Sequence, residues 1–408
     1  MEAGRSPSAS AMAVVPMTSP TRRPIVLTLV GHYLPGFRAG GPVRSIANLV
    51  EHLADEFDFR ILTSDRDLGD EAPYPGVEPD RWLPVGSACV HYTSPARQGP
   101  RGMAAILRDV PHDLLYLNSF FSPRFTVLPL ALRRLGVVPR RPTVLAPRGE
   151  FSGGALALKA PKKRSYLALG RAAGLFSGLR WQASTEHEAA DIARVIGAGV
   201  PVSVACDLPA ARDGTEPAHT PRQPGEPLRV VFVSRLSPMK NLDYALKVLQ
   251  QVKAPVRFTI RGPAEDAAYA AACRHLAAQL GENVAVDWAG PVAPEQVGGL
   301  FAAHDLFFFP TRGENYGHVI AEALAAGTPV LIADTTPWRG MAQAGIGDDL
   351  PLDDPAAFAA RIDALAAEPA EIAQARRARA AAHMRQEARL QADVLANRTM
   401  FRAALGVA

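Results

Sequence analysis

The segment from residue 306 to residue 333 constrains the fold more than any other part of the sequence. It begins and ends with short apolar runs, Leu306–Phe309 and Val330–Ala333, which have the length and composition of buried parallel strands. Between them, a loop leads into Val319–Ala326, a run of good helix formers that stops at a glycine. The segment therefore predicts a strand, a loop, a helix that begins near Gly317 and a second strand, as in an α/β domain.

The loop before this helix is suited to bind an anion. Gly313 and Gly317 allow the backbone to approach a ligand, and the free N–H groups and positive dipole end of the helix favour phosphate. Glu314 precedes the helix and Glu322 lies inside it, so two carboxylates are expected along one cleft. Glutamates also occur in helix N-terminal halves simply because they favour the dipole. The glycine-containing loop between two buried strands favours a ligand site here.

At these residues the sequence resembles the group 1, or family four, retaining glycosyltransferases, which have the GT-B fold. Their pattern is E-x-[FY]-G-x-x-x-x-E-A-x-A-x-G-x-P-V, and residues 314–330 match it almost throughout. The resemblance implies an α/β protein with two Rossmann-like doubly wound domains that face each other across a cleft. It also implies transfer of a hexose-type sugar from a nucleotide diphospho-sugar to an acceptor hydroxyl, with retention of anomeric configuration.

The resemblance assigns roles to the residues of the motif. It implies that Glu314 binds sugar hydroxyls and stabilises positive charge at the reacting carbon, and that Glu322 binds the ribose. The backbone N–H groups of Asn315, Tyr316 and Gly317 would assist in binding the donor. No cofactor is implied, because the donor, a UDP-, GDP- or ADP-sugar, is itself a substrate.

A second basic feature lies where residues 228–249 predict a strand, a loop and a helix. Arg235 follows the strand and Lys240 stands near the helix start. Two fixed cations there can offset the charge of a leaving diphosphate when no metal does so. A basic pair in such a loop can also be merely solvated, but the anion-binding loop at residues 314–317 favours a functional role. The resembled family has an Arg and a Lys at this place, which implies that both hold the departing diphosphate.

Length and composition are those of a two-domain globular protein. The 408 residues suit two α/β domains, and the chain is 48% hydrophobic and 21% charged, with no apolar run long enough to span a bilayer. Three widely spaced cysteines, Cys89, Cys206 and Cys273, argue against a disulfide framework and favour the cell interior. A net charge of +4 suits anionic ligands or an anionic membrane surface, and no interleaving of aromatic and basic residues indicates nucleic acid.

Composition also divides the chain into segments. Ser- and Pro-rich residues at the start predict a disordered tail, and five prolines without apolar periodicity predict a linker near the middle. The predicted segments are a tail at 1–23, a first domain at 24–206, a linker at 207–227, a second domain at 228–385 and a C-terminal helix at 386–408. In GT-B proteins such a helix often crosses back to the first domain, so the resemblance implies the same here.

The first domain also has glycines where a ligand is expected. Ile25–Val30 predicts the first strand, and Gly40 and Gly41 lie in the loop that follows it, at the carboxyl end of the sheet. The loop lacks the G-x-G-x-x-G dinucleotide pattern. The resemblance implies that Gly40 and Gly41 approach the donor diphosphate, although a Gly-Gly-Pro turn without a ligand is the alternative.

Polar residues follow several predicted strands of the first domain. His32, Asn118, Arg148 and Glu150 are expected at the same sheet edge as the glycines. In the resembled family this edge receives the acceptor, a sugar or a lipid-linked sugar, so these four residues are acceptor-side candidates. Each could instead be a loop residue that satisfies backbone groups.

Two further features allow more than one interpretation. Asp65 and Asp67 form an Asp-x-Asp pattern that in another glycosyltransferase class binds a divalent metal. The GT-B motifs favour a metal-independent enzyme, so no metal ligand is predicted. Residues 156–181 combine basic side chains with an apolar stripe, which is consistent with a helix on an anionic membrane or with one that packs on the core.

Other functions remain compatible with these motifs. A GT-B sugar-nucleotide epimerase or hydrolase would need a general acid and base in the cleft. A non-catalytic nucleotide-sugar-binding subunit is a third hypothesis, against which the intact Arg235, Lys240, Glu314 and Glu322 argue. By resemblance, the expected role is synthesis of bacterial surface polysaccharide or glycolipid in the cytoplasm, in association with the inner face of the membrane. The family's Pro-Asn-Gly motif near the end of the first domain is replaced by Val204–Asp207.

Overall fold

The computed structural model describes residues 22–157, 160–210, 219–223 and 225–407. Most of the predicted tail, Lys159 of the predicted basic helix, and residues 211–218 and 224 of the predicted linker lie outside the described residues. Within them the chain forms two α/β domains, each built on one twisted sheet. This confirms the predicted fold class.

The first domain contains an eight-stranded sheet within the described residues, with spatial order β3-β4-β2-β1-β5-β6-β7-β8. Its strands are β1 Ile25–Leu29, β2 Asp58–Ser64, β3 Trp82–Val85, β4 Ala88–Thr93, β5 Leu114–Asn118, β6 Thr143–Ala146, β7 Arg180–Ala183 and β8 Val202–Val204. Its helices are α1 Gly41–Leu53, α2 Pro100–Asp109, α3 Leu128–Arg134, α4 Gly153–Ala157, α5 Ala160–Ala172 and α6 Glu186–Val195. The strands are parallel except for β3, which pairs with β4 in antiparallel orientation at the sheet edge.

The second domain contains a six-stranded parallel sheet in the described chain, with order β11-β10-β9-β12-β13-β14. Its strands are β9 Leu228–Val233, β10 Val256–Arg261, β11 Val284–Trp288, β12 Leu306–Phe309, β13 Val330–Ala333 and β14 Gly347–Leu350. The helices that follow in the chain are α7 Leu242–Leu249, α8 Ala267–Ala277, α9 Val297–Ala302, α10 His318–Ala325, α11 Pro355–Ala366, α12 Ala370–Met384 and α13 Glu387–Leu405. The predicted strand, loop, helix and strand of residues 306–333 are confirmed as β12, α10 and β13.

Burial on both faces explains the apolar strand sequences. In β1, Val26 joins the core cluster on one face of the sheet and Leu27 joins the cluster on the other. A parallel strand covered by helices on both sides therefore has no polar alternation. The edge strand β3 is less buried and contains Pro84, which explains why apolar periodicity did not predict it.

Two long helical predictions are corrected in their boundaries. The closing segment from Glu371 to Leu405, whose Ala- and Arg-rich composition predicts continuous helix, forms two helices, α12 and α13, interrupted at Arg385 and Gln386. The segment 156–181, predicted as one helix, includes the end of α4, all of α5, a turn and the first two residues of β7. Pro161 and Gly174 lie near the two ends of α5, whereas no proline or glycine marks the break at Arg385 and Gln386.

Helix α13 lies on the first domain. The Phe401 ring contacts Phe57, Phe59 and Tyr116 with centroid distances of 5.4, 6.1 and 5.2 Å. Arg402 Nε donates to a Glu56 carboxylate oxygen at 2.6 Å. The chain therefore returns to the first domain after completing the second.

Candidate active site

The candidate site is a cleft of about 1280 Å³ between the two domains. The carboxyl ends of the central parallel strands of both sheets face it, which is where α/β proteins bind ligands. Nine of the predicted donor-side residues line it, namely Gly40, Gly41, Arg235, Lys240, Glu314, Asn315, Tyr316, Gly317 and Glu322. Two acceptor-side candidates, Arg148 and Glu150, also line it.

The second-domain wall carries paired cations. Lys240 Nζ donates to a carboxylate oxygen of Glu314 and lies 5.6 Å from the centre of the Phe309 ring. Arg235 Nη1 lies 2.8 Å from Glu265 Oε1 at a more exposed position. Both cations are thus oriented at the wall by carboxylates, where an incoming phosphate could share or replace those contacts.

The N-terminus of α10 is fixed by backbone geometry at Gly317. This residue has φ +86° and precedes the first helical residue, and a Cβ there would lie 3.0 Å from Ile320 Cδ1. Trp338 Nε1 donates to the Tyr316 carbonyl at 2.6 Å and holds the preceding loop. Glycine is therefore required where the free N–H groups of α10 meet the cleft.

The Gly40–Gly41 loop lies on the first-domain side of the cleft, opposite the wall that carries Arg235 and Lys240. Gly40 has φ +73° and precedes α1, and a Cβ on it would lie 3.8 Å from Arg235 Nε. The loop is anchored by Asp67, whose carboxylate accepts from the N–H groups of Phe37 at 2.9 Å and Arg38 at 3.1 Å. Gly40 and Arg235, a candidate diphosphate-binding residue, therefore face each other across the cleft.

The Asp-x-Asp pattern acts as a local anchor in this structure. Asp67 accepts a third backbone hydrogen bond, from Leu68 N at 2.8 Å, and Asp65 is paired with Arg66 at 2.8 Å. In the part of the chain that the structure describes, no group of three or more His, Cys, Asp and Glu residues is arranged to hold a metal ion. The two carboxylates are thus used to shape the loop.

A largely buried polar network connects the domains at the inner surface of the cleft. Arg148, with a side chain 4% exposed, forms an ion pair with Asp207. The Ser45 hydroxyl donates to Asp207 at 2.8 Å and lies 2.8 Å from His318 Nε2. Since that hydroxyl proton is used, Ser45 accepts from Nε2–H of His318, which fixes the imidazole tautomer. Asp207 therefore links β6, α1 and α10.

The network corrects the placement of one acceptor-side candidate. Asn118 is fully buried and does not line the cleft, because its carboxamide oxygen accepts from Arg148 Nη2 at 2.8 Å. Asp207, predicted as the first residue of the linker, is also buried. Sequence analysis missed Ser45, Asp207 and His318 as site residues. Of these three, only His318 carried a signal, because it lies between the two glutamates of the motif.

Burial shifts the proton affinities of several groups in this region. Burial lowers the pKa of His318 to about 4. The negative charge of Asp207 opposes this shift, whereas the positive charges of Arg44 and Arg148 add to it. Burial raises the pKa of the Glu150 carboxyl, although Phe121 N donates to it at 2.9 Å. Burial also raises the pKa of Glu188, which accepts from the N–H of Gly149 at 2.6 Å. His318 is consequently neutral at physiological pH.

The remaining acceptor-side candidate, His32, lies in a neighbouring pocket of about 260 Å³. Its Nδ1 atom is 3.1 Å from the Arg66 carbonyl oxygen. Glu150 and Ser119 line both this pocket and the main cleft. His32 and Glu150 are therefore neighbours in space, whereas Arg148 belongs to the buried network.

The apolar side chains of the basic segment at 160–172 are partly packed on the core and partly exposed. Tyr166 and Leu167 pack against the first-domain core, whereas Leu169 is 70% exposed. Lys163 Nζ donates to the Ala155 carbonyl and lies over the Phe121 ring at 4.8 Å. Among the described helices, none has the length and hydropathy needed to cross a bilayer.

The fold and the second domain are each similar to those of known proteins. Residues 218–386 match the family model described as "Glycosyl transferases group 1". Two facing Rossmann-like domains with this arrangement are the GT-B fold, and solved structures similar in fold are GT-B glycosyltransferases. The second domain, with its paired glutamates, is thus similar to that of the group 1 glycosyltransferases.

Curated relatives match part of the chain. A "D-inositol 3-phosphate glycosyltransferase" from Nocardia farcinica is 32% identical over 169 residues, 38% of this chain and 37% of the relative. One of the same name from Xylanimonas cellulosilytica is 31% identical over 222 residues, 51% of this chain and 52% of the relative. The chain thus spans between a third and about half of the length of these two relatives.

Solved structures match nearly the whole chain at low identity. Sucrose-phosphate synthase from Thermosynechococcus elongatus is 17% identical with a TM-score of 0.65, covering 93% of this chain and 100% of its own. Anabaena Alr3699/HepE in complex with UDP and glucose is 17% identical with a TM-score of 0.63, covering 94% and 100%. Trehalose-6-phosphate synthase OtsA is 12% identical with a TM-score of 0.67, covering 93% and 98%. These similarities concern the fold.

Proposed function

We propose that this protein is a family-four retaining glycosyltransferase that moves a hexose-type sugar from a nucleotide diphospho-sugar to an acceptor hydroxyl, without a metal ion. The observation that carries the proposal is that Lys240, Arg235 and the residues at the N-terminus of α10 line the same cleft. Two cations and a helix N-terminus suit a diphosphate. The match of this domain to the group 1 family model supports the same conclusion.

We assign the catalytic roles from the family resemblance, and the charges at that wall support them. Arg235 and Lys240 stabilise the negative charge that grows on the diphosphate as the sugar bond breaks. Glu314, paired with Lys240, binds sugar hydroxyls and stabilises positive charge at the reacting carbon. In a front-face reaction the leaving phosphate takes the acceptor proton, so the configuration is retained and no protein nucleophile is needed.

The donor is held from both domains in this proposal. Glu322 binds the ribose hydroxyls, the loop at Gly40 and Gly41 approaches the diphosphate, and the backbone of residues 315–317 completes the phosphate site. Two structural neighbours were solved with UDP-glucose or with UDP and glucose, so UDP is the first nucleotide to test.

The acceptor side is proposed to receive a sugar or a lipid-linked sugar. Glu150 and His32 provide hydrogen-bonding groups beside the cleft. Between residues 114 and 185 the sequence has many Arg and Lys residues but Glu150 as its one acidic residue, and Leu169 is exposed there. This basic surface supports peripheral contact with the anionic inner face of the membrane, and a cytoplasmic role in polysaccharide or glycolipid synthesis.

The donor site is tested by calorimetric titration of UDP, GDP and ADP into the protein in the presence of a metal chelator. We expect micromolar binding of one nucleotide, and a loss of about tenfold or more in Arg235→Ala and Lys240→Ala, because each removes a charge-assisted hydrogen bond. Lys247→Ala is the matched control, because Lys247 is an exposed lysine of α7 paired with Asp243.

Two results would contradict the proposal. Binding of no nucleotide, or binding that ignores both substitutions, would remove the diphosphate site. Release of free sugar from the donor without any acceptor, at the rate of the complete reaction, would instead favour a hydrolase.

A further inference from the structure

The proposed ribose ligand, Glu322, is contacted from the opposite domain. Arg44 Nη1 donates to Glu322 Oε1, and the two side chains are 32% and 23% exposed. Arg44 lies in the first turn of α1, directly after the loop of Gly40 and Gly41, and Glu322 lies in the second turn of α10. The ion pair therefore joins two elements that both face the donor side of the cleft.

A second contact beside it fixes the relation of the two helices. Ser45, the neighbour of Arg44, lies 2.8 Å from His318 Nε2, one turn before Glu322 on α10. His318 in turn lies 3.9 Å from Asp207. Helices α1 and α10 thus meet through adjacent polar pairs across the domain boundary. The Arg44–Glu322 pair is anchored by a buried neighbour, unlike an isolated surface ion pair.

The charge state of Glu322 depends on this contact. Burial raises the pKa of its carboxyl, and the charge and hydrogen bond of Arg44 oppose that rise. An ionised carboxylate accepts hydrogen bonds through both oxygens, as recognition of a vicinal diol requires, whereas a protonated one has less acceptor capacity. Loss of the guanidinium would therefore weaken diol binding most at acidic pH.

We propose that Arg44 is a positioning residue, which holds the Glu322 carboxylate for the nucleotide ribose and so couples closure of the two domains to donor binding. The inference rests on the proposed function, since it assumes that Glu322 binds ribose. It adds a first-domain residue to a site whose proposed ribose ligand, Glu322, belongs to the second domain.

The test compares the wild type with Arg44→Met and Arg44→Lys by calorimetric titration of UDP-, GDP- and ADP-sugars from mildly alkaline to mildly acidic pH. We expect Arg44→Met to bind the preferred nucleotide sugar about tenfold more weakly at neutral pH. Its affinity should also begin to fall at a higher pH than that of the wild type, because the carboxyl of Glu322 takes up a proton earlier. Arg44→Lys, which keeps the charge, should restore most of the pH profile.

Two variants control this experiment. Glu322→Gln should remove the pH-dependent part of binding, which separates Glu322 from His318, the titratable neighbour on the same helix. Arg81→Met removes an exposed arginine that pairs with Glu78 on the first domain, and it should leave both affinity and pH profile unchanged.

Each outcome decides the inference. If Arg44→Met binds with the affinity and pH profile of the wild type, Arg44 does not act through Glu322, and the proposed function is untouched. If Arg44→Met binds more tightly, Arg44 competes with the ribose, and the inference is likewise overturned. If the wild type binds none of the nucleotide sugars, the proposed function and the inference fall together.

Discussion

His318 has a very different environment in the folded chain and in the unfolded chain. Its Nε2 atom lies 2.8 Å from Ser45 Oγ, and burial lowers its pKa to about 4, against about 6.5 for an exposed histidine. Between these two values the unfolded chain binds the proton and the folded chain does not. The contribution of His318 to stability is therefore full above about pH 6.5 and is lost as pH falls toward about 4.

The lowered pKa of His318 gives a prediction for stability at acidic pH. The melting temperature of the wild type should fall between neutral pH and pH 5, and His318→Gln should show a smaller fall, because glutamine has no proton to gain. Thermal unfolding followed by circular dichroism at a series of pH values measures both. His187→Gln is the matched control, because His187 is 88% exposed. Parallel curves for wild type and His318→Gln would contradict the assignment.

The sequence indicated the site residues whose neighbours are close along the chain. Glu314 and Glu322 were found because their spacing spans one loop and one helix, and Arg235 and Lys240 because they flank one strand-to-helix connection. Arg44 could not be found in this way. Its partner is 278 residues away, and their contact depends on how the two domains are oriented.

At the scale of elements, the loop between β1 and α1 is held in place by one carboxylate from the loop that follows β2. Asp67 accepts from the N–H groups of Phe37 and Arg38, and Gly40 then turns the chain into α1 with φ +73°. Two adjacent backbone N–H groups of this loop are thus held by one side chain before a ligand arrives. This preorganisation favours binding, because less conformational entropy remains to be lost.

Asp67→Ala should therefore loosen this loop and weaken donor binding. We expect faster amide hydrogen exchange across residues 36–40 and nucleotide affinity lower by about fivefold or more, because two backbone donors lose their acceptor. Exchange measured by mass spectrometry reports the loop without reference to activity. Asp70→Ala serves as control, since Asp70 pairs with Arg38 at the surface. The prediction fails if the loop exchanges no faster in Asp67→Ala than in Asp70→Ala.

Strand positions were predictable at this scale because central parallel strands are apolar on both faces. The sequence predicts Thr143–Ala146, an interior strand of the first sheet, with the observed boundaries, and it also predicts Val284–Trp288, although that strand lies at the edge of the second sheet. The edge pair β3 and β4 was not, since its first strand is partly exposed and interrupted by Pro84. The role of the Asp-x-Asp pattern, by contrast, could not be predicted from the sequence. The same residues suit a metal site or a loop anchor, and only the surrounding backbone distinguishes the two.

At the scale of the whole molecule, α13 joins the end of the chain to the first domain. Phe401 is fully buried among Phe57, Phe59 and Tyr116. Asn397 Nδ2 donates to the Cys206 carbonyl at 2.8 Å, so the helix also contacts the point at which the chain leaves the first domain. The predicted return of this segment rested on the resemblance alone, because its sequence has a uniform Ala- and Arg-rich composition.

Phe401→Ala should destabilise the first domain by about 3–5 kcal/mol, the usual cost of removing a buried phenyl ring. Denaturant unfolding followed by circular dichroism measures the change. Leu395→Ala, on the same helix at a position 57% exposed, should cost far less. Equal effects of the two substitutions would show that α13 does not contribute its packing to the first-domain core.

The return of α13 has a consequence for modularity. Because the chain enters the second domain after Asp207 and re-enters the first at α13, the second domain is an insertion within the first rather than an appended unit. Exchange of donor specificity between proteins of this architecture, by recombination or in an engineered chimera, therefore requires two junctions. A single crossover in the linker would replace α13 as well, and would leave the aromatic cluster around Phe57 to be completed by a foreign helix.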